Sequence, residues 1–259
     1  MNKASLLAGV AALLLPLGLP AASHEEQRAP LTEAWIVVPK PGMEGQFEEA
    51  VAAHMAFRDD AGDSRSWQTF TPVIGHNLNV YQFRACCFNW ADQDAYVVED
   101  REKSLGENWN ANVHQYVDHY HHYLERNDWE NSRWPEDGAD GPYYGVTTWT
   151  WKQGAGAGPG DAREKLSQMA IDGGWGEADN SWLWLQRIGG KPVLAIVSPF
   201  ASYADMQPPE QSLFEFIAEQ MDSEEEAGAL FDQFGAGFAD SDYTVWVHRP
   251  DLSAKSDDE

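Results

Sequence analysis

The side chains that could do chemistry in this sequence are histidines set among aromatics. His114, His119, His121 and His122 lie close together, and His248 stands far from them in the chain. His119 and His121, two apart on an extended segment, share a face at a spacing that suits metal ligation, and His248 could approach from another element. No HxxxH pattern on a helix and no carboxylate motif accompanies them. The expectation is therefore an interior histidine satisfied by hydrogen bonds, with no metal. Haem would need a proximal histidine and a distal polar residue. No motif marks a ligand histidine, so the cofactor is left unassigned. His54 falls with Phe47, Val51 and Met55 on one helical face and reads as a core histidine rather than a catalytic one.

Other signatures are weaker. The run from Gly154 to Gly160 precedes a helix but lacks the Gly-Lys-Ser/Thr ending that grips phosphate and magnesium, and it reads as a flexible connection. No nucleophile elbow or triad signature occurs. The two cysteines are neighbours, Cys86 and Cys87. On a strand they point to opposite faces, and a ring between adjacent residues is strained, so they are expected as small apolar fillers.

The elements that must position these residues come in two copies. Strand-like stretches Ala34–Val38 and Val146–Trp151 open them. A helix follows each, the second with Asp161 as its expected N-cap and Glu164 three residues on. Two strands around an Ile-Gly turn come next, at Ile74-Gly75 and at Ile188-Gly189. Further helices open at Ser104 with Glu107 and at Ser223 with Glu226. The last strands, Tyr120–Asp128 and Tyr243–Asp251, align without a gap. Strand–helix–strand–strand–helix–strand is the split βαβ pattern, and a sheet with helices on one face needs a partner for the other.

The expected fold is therefore α+β, two tandem ferredoxin-like βαββαβ units packed sheet-to-sheet as a pseudo-dimeric α/β barrel. In element order and repeat the chain resembles the dimeric α/β-barrel superfamily, whose members include antibiotic-biosynthesis-type monooxygenases, NIPSNAP-like proteins, stress-responsive barrel proteins and chlorite-dismutase-like haem proteins. The resemblance implies a cavity between two facing sheets. Alternation turns Thr244, Trp246 and His248 toward it, with His121, Tyr123 and Glu125 from the other copy. Twelve tryptophans exceed ordinary packing needs. An aromatic pocket lined by His121, Tyr123, Trp149, Trp184, Trp246 and His248, taking a small hydrophobic or aromatic ligand, is the expected site. The resemblance further implies an oxygenase-like reaction without cofactor. The alternatives are a non-catalytic envelope or stress-response protein whose cavity is filled by aromatic core, and a haem or metal-binding redox protein.

Composition bounds the partners. Forty-two acidic against seventeen basic residues give a formal charge of −25, which disfavours nucleic acid and anionic membrane surfaces. Lys3, a short apolar run to Leu19 and small residues to Ser23 read as a signal peptide over 1–23, implying a periplasmic or secreted protein with no membrane insertion after cleavage. The units then span 24–128 and 142–251. A linker over 129–141 joins them, and 252–259 reads as a disordered acidic tail. Ligand identity and oligomeric state are not encoded in any motif.

Overall fold

β1 (Leu31–Pro39) is covered on both faces, with Leu31, Ala34 and Val37 almost wholly excluded from solvent and the polar Thr32 and Glu33 buried beside them. It opens a computed structural model that describes residues 28–135, 138–139, 141–176 and 180–254. The expected signal peptide lies outside these residues. The first copy continues with α1 (Glu44–Ala61), β2 (Trp67–Ile74), β3 (Tyr81–Phe88), α2 (Trp90–Glu102), α3 (Leu105–Asn112) and β4 (Val117–Arg133). The second repeats the order as β5 (Tyr143–Trp151), α4 (Gly158–Asp172), β6 (Trp182–Ile188), β7 (Val193–Phe200), α5 (Leu213–Met221), α6 (Glu224–Gly235) and β8 (Phe238–His248). No helix among the described residues is long and apolar enough to cross a membrane.

Each copy forms an antiparallel four-stranded sheet, in the order β4-β1-β3-β2 and then β8-β5-β7-β6. β2 pairs with β8 and β4 with β6, so the two sheets close into one eight-stranded barrel. Closure leaves no strand edge unpaired. The expected pair of ferredoxin-like units and the pseudo-dimeric barrel are both present. Helices cover the outside of each sheet. Phe47, Val51 and Met55 of α1 pack on Val37, Phe83 and Trp67 in the first copy. Ala170 of α4 and Phe234 of α6 pack on Trp149, Trp184 and Leu194 in the second.

Four local expectations change. The linker over 129–141 is partly strand, because β4 runs on to Arg133 through a bulge against β6, where Ser132 Oγ accepts the Trp184 N–H at 2.9 Å. The tail over 252–259 begins as packed structure. Leu252 and Ala254 are buried in the first core, and the Leu252 carbonyl accepts a hydrogen bond from Thr69 Oγ1 at 2.6 Å; residues 255–259 lie outside the described chain. Of the capping signals, Ser223 accepts the Glu226 N–H at 3.1 Å as expected. Ser104 instead sits at φ 55° with no side-chain cap, and α4 starts at Gly158, ahead of Asp161. Cys86 and Cys87 are joined as a disulfide rather than standing apart as fillers. Where β3 meets β1, Thr32 registers with Cys86 and Leu31 with Phe88, so Cys87 is an extra residue and the strand alternation breaks there.

Candidate functional site

A cavity of about 500 Å³ lies on the outer face of the first sheet, between the strands and helices α1, α2 and α3. Strand alternation supplies its floor. Glu33, Trp35 and Val37 project from one face of β1, Trp67 from β2, Phe83 from β3 and Tyr120 from β4. α1 adds the adjacent His54 and Met55 and, one turn on, Arg58. α2 adds Gln93, Tyr96, Val97 and Asp100, and Trp109 and Asn110 of α3 with His114 complete the wall. Volume and lining are those of a small-molecule pocket, largely apolar with a few placed polar groups.

The polar groups form three networks, the first two joined where the Arg65 backbone N–H donates to Asp63 Oδ1 at 3.1 Å. In the first, Arg58 Nε donates to His54 Nε2 at 2.8 Å, so that nitrogen is the acceptor and His54 Nδ1 carries the proton it gives to Asn108 Oδ1 at 2.8 Å. Arg58 also pairs with Asp63 and donates to the Tyr96 hydroxyl at 2.9 Å. Burial, reinforced by the Arg58 charge, lowers the His54 pKa to about 4, so the ring is neutral. In the second network, Glu33 accepts from Trp35 Nε1 at 3.0 Å, pairs with His122 Nε2 at 2.8 Å and takes an ion pair from Arg65. Burial pushes this carboxyl up, but the His122 hydrogen bond, the Arg65 charge and the Trp35 donor outweigh it and hold it below the usual carboxylate range. In the third, the Tyr120 hydroxyl accepts from Trp109 Nε1 at 3.0 Å and lies 2.9 Å from His114 Nδ1, with the His114 and Tyr120 rings nearly parallel. Burial raises the Tyr120 pKa, so its phenol stays protonated.

His54 therefore acts on folding as well as on the pocket. The folded ring stays neutral down to about pH 4, whereas an unfolded histidine protonates near 6.5. Between those values the unfolded chain binds the extra proton. Stability should then fall as pH drops through that window, by about 1.4 kcal/mol per pH unit at the steepest. Urea unfolding midpoints measured from pH 7 to 4 should show this slope, and His54→Gln should flatten it.

The six residues expected to line an inter-sheet pocket do not form one site. Register turns His121 and Tyr123 inward on β4, and Trp246 and His248 inward on β8. These two strands stand on opposite sides of the barrel. His121 stacks on Tyr123, whose ring carries the Arg187 guanidinium at 4.2 Å. His248 bonds instead to Gln68 Oε1 at 2.7 Å and packs on Phe70. Trp149 and Trp184, expected to face the other sheet, point the opposite way. Both lie on the outer face beneath α4 and α6, 5.7 Å apart, in the core of the second copy. The physical reason is that β5 and β6 are covered on both faces, so aromatic content alone cannot tell inside from outside. Residues not singled out from sequence, Trp35, Arg58, Asp100 and Trp109 among them, line the cavity. Alternation along β1 is a signal for Trp35 alone; Arg58, Asp100 and Trp109 lie on helices, which that phase does not reach.

Among the described residues no group of three or more His, Cys, Asp or Glu side chains converges as a metal site would require. Haem fits the cavity poorly. His54 has both ring nitrogens committed, His114 sits at the exposed rim on Tyr120, and both arginines beside the pocket are paired to carboxylates rather than available to propionates.

No protein-family model matches the chain, and no curated relative matches it in sequence. Its structure is similar to solved ones. The putative monooxygenase of Fusobacterium nucleatum aligns over 86% of this chain and 93% of its own, at TM-score 0.52 and 9% identity. That of Lactobacillus acidophilus aligns over 88% and 96%, at TM-score 0.50 and 8% identity. A mutant chlorite dismutase from Candidatus Nitrospira defluvii aligns over 87% and 94%, at TM-score 0.50 and 9% identity. The shared feature is the fold, the dimeric α/β barrel.

Proposed function

We propose that the first copy is a binding unit for a small, planar aromatic molecule and that the second copy is its structural counterpart. The observation that carries this is the contrast between equivalent faces. The first copy keeps about 500 Å³ under its helices. The second fills the same layer with Trp149, whose ring lies 5.7 Å from Trp184, 5.5 Å from Phe234 and 5.7 Å from Phe238. Three indoles in the open copy offer flat apolar surface, and the three polar networks are placed to orient a ligand.

The reaction the site fits best is oxygenase-like and uses the substrate's own electrons. An electron-rich hydroxy-arene with an activated methylene can react as CH2 plus O2 to C=O plus H2O, so the protein need only bind it, exclude water and accept a proton. His114 is the proton acceptor, and Tyr120, kept protonated, holds it in place. The shared fold with putative monooxygenases is compatible with this reading. Export through a signal peptide remains part of the same proposal, made from the N-terminal sequence alone.

Calorimetric titration and oxygen-uptake measurements with a panel of hydroxy-arenes test it. Val37→Phe, which places a larger side chain in the cavity, should abolish binding and uptake while leaving a folded protein. His114→Gln should leave affinity unchanged and cut uptake by at least about a hundredfold. Binding without uptake would retire the reaction and keep the binding protein. No binding at all would retire both and favour the non-catalytic envelope or stress-response role.

A further inference from the structure

The lining of the cavity is not neutral in its charge pairing. Arg58 is compensated by Asp63, and Glu33 by Arg65. Asp100 lines the same space and has no cationic partner among the described residues. It sits in the last turns of α2, and its Oδ1 accepts the Gly106 N–H at 3.0 Å in the first turn of α3. A Cβ at Gly106 would stand 3.1 Å from Oδ2, so the glycine leaves the carboxylate room beside the pocket. The pocket walls already accommodate a cation on an indole, with the Arg58 guanidinium 5.3 Å from the Trp67 ring. A whole-chain charge of −25 further concentrates cations near the surface.

Resting on the aromatic-ligand reading above, we propose that the cavity selects an aromatic molecule carrying a protonated amine, the ring lying among Trp35, Trp67 and Trp109 and the ammonium against Asp100. The class is an arylalkylamine. Neutral rings of the same size use the indoles alone, and anionic ones meet an uncompensated carboxylate.

Three probes of one shape separate the outcomes: tyramine, its neutral alcohol analogue 4-hydroxyphenylethanol, and the anion 3-(4-hydroxyphenyl)propionate. Titration calorimetry of the full chain should rank them in that order, with tyramine at least about tenfold tighter than the alcohol. Asp100→Asn keeps an oxygen for the Gly106 N–H, so the helix junction is retained. It should bring tyramine down to the alcohol's affinity and leave the alcohol unchanged. Added salt should weaken tyramine alone. If the alcohol binds the wild type as tightly as tyramine, the amine preference is overturned while the aromatic pocket stands. Loss of both ligands in Asp100→Asn would show a structural residue and also overturn it. If none of the three binds, or Val37→Phe leaves their binding intact, the pocket reading fails as well.

Discussion

Glu33→Ala should lower folding stability by about 3–5 kcal/mol, the range for removing one partner of a buried ion pair. Glu33 is 5% and Arg65 9% exposed, so alanine leaves a guanidinium out of water without its counter-charge. That guanidinium is held in place by more than charge. It lies 4.0 Å from the Phe88 ring and 3.8 Å from the Tyr96 ring, and it donates to Gln93 Oε1 at 2.6 Å. It cannot swing to solvent without undoing those contacts. The loss also releases Trp35 and His122, whose rings stack 4.0 Å apart and both bond to Glu33. Urea denaturation of the single variant, of Glu33→Gln and of the double variant Glu33→Ala/Arg65→Met measures the effect. The double variant should be less damaged than the single one, since no unpaired charge remains. A single-variant loss below about 1 kcal/mol would contradict a buried pair.

The same carboxylate sets an acid limit. Its folded pKa is depressed, so the unfolded chain takes up a proton before the folded one does. The stability it contributes is fully present above the ordinary carboxylate value, near 4.5, and is lost as pH falls through the lower folded value. The His54 slope begins higher, near 6.5. Two variants therefore dissect two parts of one acid-unfolding curve.

The repeat was readable because its signals are local. Ile-Gly turns at Gly75 and Gly189 and paired runs of β-branched and aromatic residues survive in both copies. The inward phase of His121, Tyr123, Trp246 and His248 followed from alternation, which the register obeys. The cavity was not readable, and α2 shows why. Tyr96 is its one buried residue, while Trp90, Val97 and Val98 are about half exposed. No apolar stripe announces a helix so loosely apposed to the sheet. What holds it is a set of long-range polar contacts: Tyr96 to Arg58, Gln93 to Arg65 and Glu99 to Ser64. Partners that meet only after folding leave no periodicity in the chain. Space left unfilled under a helix is likewise a property of packing, not of residue type.

Trp184→Ala is the complementary case, expected to cost about 3–5 kcal/mol of stability and nothing in ligand affinity. Trp184 is 7% exposed, and its indole N–H donates to Ser167 Oγ at 3.0 Å. Its ring packs on Trp149 and Phe234 and lies under the Arg163 guanidinium at 5.4 Å. Alanine would open a void in the core joining β5, β6 and β7 to α4 and α6, and would strand the Ser167 hydroxyl. The first-copy cavity shares no lining residue with that core. Titration of the folded variant with an aromatic ligand that binds the wild type should return the wild-type dissociation constant, while its urea midpoint drops. Reduced affinity with little loss of stability would move the binding site to the second copy. A large stability loss with affinity intact would instead leave the tryptophans of the second copy as the packed layer against which the open copy closes its barrel.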